Sequence, residues 1–172
     1  CKAASDAGIS LYAPSEGTFF HFADYRTDEV NKLKGEPSAK KIAIVHSASY
    51  RTSFSYSALS HTYAMQMYNS SKKATENTVD ELTGEQLAFA NVIVQDTYWE
   101  YRPDNKYLIF RVHDSGRSGY YFTQGRGIKI TWEKTADYAP TKYYDESGKE
   151  IELNTGHTFI AIAQAGREPI YE

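Results

Sequence analysis

Aromatic and polar side chains that flank residues 102–106 are the clearest candidates in this sequence for contact with a ligand. If residues 91–113 form a hairpin closed by the loop 102–106, Tyr101 pairs with Tyr107 and the same register continues along both strands. One face of that hairpin then carries six candidate binding residues: Gln95, Trp99, Tyr101, Tyr107, Arg111 and His113. Aromatic rings beside a cation and amide donors are suited to a sugar or to the carboxylate of a peptide.

The same hairpin also has a structural interpretation. Aromatic pairs on neighbouring strands stabilise sheets and pack beneath loops or against other domains without binding a ligand. Trp132 shows how the two interpretations differ: it shares a strand face with Ile128 and Ile130, so we assign it to the core and not to a ligand platform. For the hairpin 91–113 both interpretations stay open at the level of sequence.

Other polar residues give weaker signals for chemistry. The run 113–115 contains the three residue types of a hydrolase triad, but adjacent strand residues point to opposite faces and cannot face one another without a bend. His46, His61 and His157 lack metal-ligand spacing, and the single cysteine, Cys1, excludes a cysteine cluster. The sequence therefore predicts no catalytic residue, no metal site and no cofactor.

Glycines and carboxylates near predicted turns are explained by those turns. The glycines of residues 116–127 lie between strands and lack the strand-to-helix context of a nucleotide-binding loop. The acidic residues of 145–152 lie in and beside one hairpin, where exposed charges are a commoner explanation than a glycosidase pair flanking a cleft.

Length and composition limit the class of protein. The chain has 172 residues, enough for one domain with its own core. A net charge of −3 argues against broad binding to nucleic acid, which needs a basic surface. Apolar runs such as residues 42–45 are short, and none approaches the roughly 20 residues that span a bilayer.

Strand patterns dominate from residue 41 onward. Apolar and polar residues alternate in 50–57 and 128–134, and residues 143–153 are predicted to form a hairpin around the acidic turn 145–148. About nine short strands separated by turns predict a mainly β fold, an antiparallel sandwich or a partly open barrel. The segments 70–80 and 114–119 are predicted to be a loop and a turn. One or two short helices are expected near the N-terminus, at 2–11 and 27–35.

Several motifs together resemble a known bacterial family. They are DELTGEQL at 80–87, NVIVQ at 91–95, GYYF at 119–122, TWEK at 131–134, APT at 139–141, YDESGKEI at 144–151 and LNTG at 153–156. In this order they resemble the C-terminal region of the YerB-like lipoproteins, over about residues 19–162. The resemblance implies a domain of unknown function, anchored outside the cell by an N-terminal lipid and preceded by a larger N-terminal domain.

This resemblance implies a division of the chain and a type of function. Residues 1–12 would be the tail of a preceding region, and residues 13–172 the C-terminal β domain. We expect a non-catalytic, extracytoplasmic binding or interaction module of a cell-envelope lipoprotein, attached to the membrane only through an upstream lipid anchor. Its expected partners are cell-wall glycan or peptide, an envelope protein, or the N-terminal domain of the same protein.

The alternative is a cell-envelope hydrolase whose active site is completed by the N-terminal domain. A bond from His113 to a Ser or Asp of another strand would favour that enzyme. A ligand pocket lined by Trp99, Arg111 and His113 without a suitably spaced nucleophile would favour binding.

Overall fold

The computed structural model describes residues 20–23 and 33–172, and the regular structure of these residues is β. The strands are β1 (Lys41–Val45), β2 (Arg51–Ser57), β3 (Thr62–Asn69), β4 (Ala74–Asn77), β5 (Ala88–Phe89), β6 (Asn91–Thr97), β7 (Trp99–Tyr101), β8 (Leu108–Phe110), β9 (Asp114–Thr123), β10 (Arg126–Lys134), β11 (Lys142–Tyr144), β12 (Thr158–Gln164) and β13 (Ile170–Tyr171). The mainly β prediction is therefore confirmed.

Two sheets contain most of these strands. The N-terminal sheet has the order β13-β1-β2-β3-β4, with β5 also paired to β3. The C-terminal sheet has the order β11-β10-β9-β6-β12. Within it, β6 and β12 run parallel, whereas the other strand pairs of both sheets are antiparallel. Neither sheet closes into a barrel in the part of the chain that the structure describes.

An inter-sheet core holds the two sheets together. Its buried residues are Ala39, Ile42, Ile44, Phe54, Tyr63, Met65, Val92, Val94, Tyr120, Phe122, Ala161 and Ala163. Phe54 of β2 contacts Phe159 of β12 with ring centroids 5.1 Å apart, so aromatic packing joins the two layers directly. Burial of this apolar surface is the main term that favours the sandwich.

An outer core lies on the other face of the C-terminal sheet. It contains Ile93, Tyr121, Ile130, Trp132, Tyr143, Ile151 and Leu153. The segment that follows β11 covers this face, and the Leu153 N–H donates to the His21 carbonyl oxygen at 2.8 Å. Phe20 stacks on the ring of Tyr143 at 6.3 Å. Strand β6, which lies between β9 and β12, is consequently buried on both faces, as its continuous apolar run Val92–Ile93–Val94 requires.

Strands β7 and β8 form a separate hairpin. After Thr97 the chain leaves the C-terminal sheet, and among the described residues β7 pairs with β8 and with neither sheet. The chain rejoins the C-terminal sheet at Asp114, where β9 begins. The hairpin therefore connects β6 to β9 without joining either sheet.

Several sequence predictions about strands are wrong. The first strand of the predicted hairpin 91–113 is divided into β6 and β7, and β6 pairs with β9 and β12 instead of with residues 107–113. The predicted turn 114–119 is the first half of β9, and the predicted loop 70–80 contains β4. These segments are rich in Gly, Ser and charge, so their local pattern gives no strand signal; pairing with β10 and β3 supplies it.

The two helices predicted near the N-terminus lie largely outside the described residues. Residues 2–11 lie outside the described residues, as do residues 27–32 of the helix predicted at 27–35. The described residues contain no helix, and Lys34–Gly35 form a turn in which Gly35 has a φ of 86°. A glycine suits this left-handed conformation because it has no Cβ.

Candidate functional site

The β7–β8 hairpin carries most of the residues that the sequence nominated for binding. Trp99 pairs with Phe110, and Tyr101 pairs with Leu108. The Arg102 N–H donates to the Tyr107 carbonyl oxygen at 2.8 Å, which closes the turn. The turn is thus one residue shorter than predicted, and the register differs by one position from the predicted pairing of Tyr101 with Tyr107.

This change of register divides the predicted face in two, because neighbouring residues of a strand point to opposite sides. Trp99 and Tyr101 share one side of the hairpin with Leu108 and Phe110, and we name these four residues the aromatic face. Tyr107 and Arg111 fall on the opposite side by the same alternation. The structure therefore brings together only part of the predicted set.

The aromatic face is apolar and accessible. The exposed fractions of Tyr101 and Leu108 are 59% and 44%, whereas Trp99 and Phe110 are half-buried at the base. The rings of Trp99 and Tyr101 meet edge to face with centroids 5.4 Å apart. This packing fixes the two rings relative to one another while leaving their outer surfaces open to a partner.

The opposite side of the hairpin carries charge. The guanidinium of Arg111 lies 4.4 Å from the ring centroid of Tyr98, and the Arg111 N–H donates to the Tyr98 carbonyl oxygen at 2.9 Å. Glu100 is paired with Ile109 on this side. The cation predicted to accompany Trp99 and Tyr101 is thus held on another ring by a cation–π contact.

Gln95 and His113 lie away from the aromatic face. Gln95 belongs to β6 and is buried, and its amide donates to the Tyr143 hydroxyl at 3.2 Å. His113 lies between β8 and β9, and its Nε2 is 2.9 Å from Oδ1 of Asp137 in the loop after β10. The predicted pairing of Gln95 with His113 is wrong because β6 pairs with β9 at this level, through Gln95 and Gly119.

Leu108 and Phe110 are the residues that the sequence prediction missed. The run Tyr107–Leu108–Ile109–Phe110 is apolar at each position, so alternation alone cannot decide which members lie beside Trp99. The one available signal is the turn: a four-residue loop 103–106 makes Tyr101 and Leu108 partners, whereas a five-residue loop does not.

Geometry for catalysis is sparse in the described part of the chain. His113 and Asp137 form an exposed pair, with side-chain exposures of 43% and 79%, and no described hydroxyl group hydrogen-bonds to the histidine. The described residues contain no group of His, Cys, Asp or Glu arranged to hold a metal ion. They also contain no helix long and apolar enough to cross a membrane.

The tyrosine hydroxyl groups whose pKa is raised lie mainly in structural positions. Burial raises the pKa of Tyr121 to about 12, and burial likewise raises the pKa of Tyr143 above its usual range. The carboxylate of Glu133, which accepts a 2.6 Å hydrogen bond from the Tyr144 hydroxyl, raises the pKa of Tyr144 to about 12. These hydroxyl groups stay neutral at physiological pH, which suits packing and not proton transfer.

Comparison with known proteins gave a match to a protein family and a match to a solved structure. Residues 41–160 match the family model of the C-terminal domain of a protein of unknown function, DUF3048. The crystal structure of the YerB protein from Bacillus subtilis is similar, with a TM-score of 0.69 and 15% sequence identity. That match covers 99% of this chain and 52% of that chain, so this chain spans about half of its length. The comparison with curated proteins gave no match.

Proposed function

Since the chain belongs to the family of DUF3048 C-terminal domains, we propose that it is a non-catalytic interaction module that binds another protein of the bacterial cell envelope through the aromatic face. The observation that carries the proposal is the hairpin itself. It pairs with neither sheet in the described residues, yet it exposes Tyr101 and Leu108 side by side. Adjacent exposed aromatic and aliphatic side chains of this kind often mark a surface for interaction with a protein.

The chemistry of the aromatic face favours a protein surface as partner. Its four side chains are Trp, Tyr, Leu and Phe, and none of them carries a charge. Trp and Tyr are enriched among residues that dominate protein–protein affinity, because they bury a large area at a small cost in side-chain entropy. Recognition of a peptide carboxylate is less favoured, since Arg111 lies on the opposite side over Tyr98.

The extracytoplasmic location is part of the same proposal. It rests on the resemblance to the YerB-like lipoproteins, whose lipid anchor lies upstream of the domain described here. The proposed partner is therefore another protein exposed at the outer side of the membrane, and the N-terminal domain of the same protein is a competing partner. Cell-wall glycan and peptide are the competing ligands.

Site-specific photo-crosslinking in cells tests this function. A photoreactive amino acid replaces Tyr101 in one variant and Ile109, on the opposite side of the hairpin, in the control. We expect a discrete protein adduct from position 101 and none from position 109. The captured partner is then purified and titrated against wild type, Tyr101→Ala and Ile109→Ala, and affinity should fall only for Tyr101→Ala.

Competing ligands are distinguished in a second titration. Purified muropeptides are added to wild type and to Tyr101→Ala, with thermal melts of both proteins. Saturable binding of muropeptides that Tyr101→Ala abolishes would assign the aromatic face to the cell wall and contradict a protein partner. Equal adducts from positions 101 and 109, or none, would show that this face is not the interaction surface.

A hydrolase completed by another domain is the second candidate. The contact between His113 and Asp137 is the observation that favours it, because an aspartate that orients a histidine is a recurring part of hydrolase triads. If the domain contributes to hydrolysis, His113→Ala should abolish muropeptide cleavage by the longer protein while leaving binding unchanged.

A further inference from the structure

Strand β12 leaves one side of the C-terminal sheet unpaired. It forms a parallel ladder with β6 along its full length, and no described strand pairs with its other side. Its sequence, TFIAIAQ, contains no charged residue and no proline. Natural proteins usually protect an exposed edge with such residues, because unpaired N–H and C=O groups recruit further strands.

The ladder determines which backbone groups face the open edge. The Asn91 N–H donates to the His157 carbonyl oxygen, and the Ala165 N–H donates to the Thr97 carbonyl oxygen. Since a parallel ladder uses every second residue of each strand, the odd-numbered residues of β12 are bonded to β6. The N–H and C=O groups of Ile160 and Ile162 therefore point away from the sheet.

The side chains of these same two residues are also accessible. Ile160 and Ile162 alternate with the buried Ala161 and Ala163 and are 38% and 40% exposed. They lie on the outer face beside Ile93 and Gln95 of β6, where the outer core ends. The open edge thus offers free hydrogen-bonding groups and two exposed aliphatic side chains at the same positions.

We propose that β12 pairs antiparallel with β12 of a second copy of this chain, around a two-fold axis at Ala161. In this register Ile160 of one copy exchanges both backbone hydrogen bonds with Ile162 of the other, and Ile162 with Ile160. Each isoleucine side chain then lies beside its partner on one continuous outer face. A second copy fits better than an unrelated strand because β12 is complementary to itself: the strand is uncharged, and in this register each exposed isoleucine meets an isoleucine of the other copy.

Self-association is tested by sedimentation equilibrium of the 172-residue chain. We expect a reversible dimer in wild type. In Ile160→Lys the dissociation constant should be at least about tenfold higher, because the lysine of each copy would face Ile162 of the other copy. Leu82→Lys is the matched control: Leu82 is 95% exposed in a loop, so this variant gains the same charge and should dimerise like wild type.

The register is tested by disulfide formation in a Cys1→Ser background. Paired residues of this type have Cα atoms about 5.5 Å apart, within the range of a disulfide. Ile160→Cys mixed with Ile162→Cys should give a cross-linked dimer on mild oxidation, whereas each variant alone should not. Hydrogen exchange adds a third readout, since the amides of Ile160 and Ile162 should be protected only in the dimer. A monomer at all attainable concentrations, or protection of those amides in a monomer, would overturn the proposal.

Discussion

Trp132 belongs to the outer core, where its side chain is both buried and hydrogen-bonded. It is 1% exposed, and its indole N–H donates to the Asp96 carbonyl oxygen at 3.1 Å. Trp132→Ala should lower the free energy of unfolding by about 3 to 5 kcal/mol, as truncation of large buried aromatics does. Urea denaturation measures this change. Trp132→Phe keeps most of the ring contacts and should cost less; a loss below about 1 kcal/mol in Trp132→Ala would contradict the assignment to the core.

The Tyr121 hydroxyl links two strands to the segment that covers the outer core. It donates to Oδ1 of Asn91 at 2.9 Å and accepts from the Asn154 N–H at 3.2 Å. Tyr121→Phe should therefore destabilise the fold by about 1 to 3 kcal/mol, because buried partners lose their hydrogen bonds. Tyr107→Phe, which removes a hydroxyl from a side chain that is 70% exposed, is the control and should leave the urea midpoint unchanged.

Individual residues differ in how far sequence reveals their roles. Alternation with Ile128 and Ile130 was enough to assign Trp132 to the core, and this prediction is confirmed. Gln95 could not be assigned in the same way, because its partner Tyr143 lies 48 positions further along the chain. A polar side chain is satisfied by tertiary contacts that local spacing does not encode.

The turn after β11 is stabilised by the carboxylate of Asp145. Oδ1 of Asp145, in the hairpin after β11, accepts from the hydroxyl and N–H of Ser147 and from the N–H of Lys149. The Ser147 hydroxyl is the largest of the influences that lower the pKa of Asp145. A carboxylate with a lowered pKa stabilises the fold above its unfolded pKa, and this contribution is lost as the pH falls through the folded pKa.

The difference in melting temperature between wild type and Asp145→Asn should follow that relationship. It should be largest above about pH 4 and shrink toward zero as the pH is lowered to about 2. Glu146→Gln, at the exposed next position of the same turn, serves as the control and should melt like wild type throughout. Thermal melts by circular dichroism measure these differences, and a gap that widens on acidification would contradict the role of Asp145.

Strand identity was easier to predict than strand pairing. The hairpin around residues 145–149 was recognised from its acidic turn and glycine, and the bridge between Tyr144 and Glu150 confirms it. Gly119 was assigned to a turn, yet it lies in β9 at a position where a Cβ would be 2.6 Å from the Val94 carbonyl oxygen. Here glycine marks close contact between strands, a feature that appears only once β6 and β9 are paired.

The aromatic hairpin shows how a small error at this scale affects the candidate site. Moving the turn by one residue transfers Tyr107 and Arg111 to the side opposite Trp99. Residue types in 99–111 indicated a candidate surface, but not which of these residues lie on the same side of the hairpin. The binding role itself stays a prediction for both sides of the hairpin.

At the scale of the whole molecule, topology depends on contacts between distant segments. The β12 ladder joins residues 158–164 to residues 91–97, and its parallel direction cannot be inferred from period-two patterns, which parallel and antiparallel strands share. The same is true of the double burial of β6, which requires the segment around Leu153 to cross the outer face. Sequence predicted the class of fold, whereas the arrangement of layers required the structure.

The separation between sandwich and hairpin leads to a prediction about the whole molecule. Most residues of both cores belong to strands of the two sheets, and the hairpin β7–β8 contributes no residue to either core. Replacing residues 101–108 with Asn-Gly keeps the pair Glu100 and Ile109 and closes the shortened hairpin with a type I′ turn. This variant should retain the melting temperature of wild type within a few degrees while losing affinity for the purified partner.

A matched control separates loss of the hairpin from loss of stability. Ile44→Ala, in the inter-sheet core, should lower the melting temperature but leave partner binding intact at temperatures where the protein is folded, because Ile44 is 1% exposed and remote from the hairpin in the strand order. Thermal melts and titration of the purified partner are measured on both variants. If the shortened hairpin instead unfolds the protein, β7 and β8 are structural elements of the sandwich, and the aromatic face owes its composition to packing.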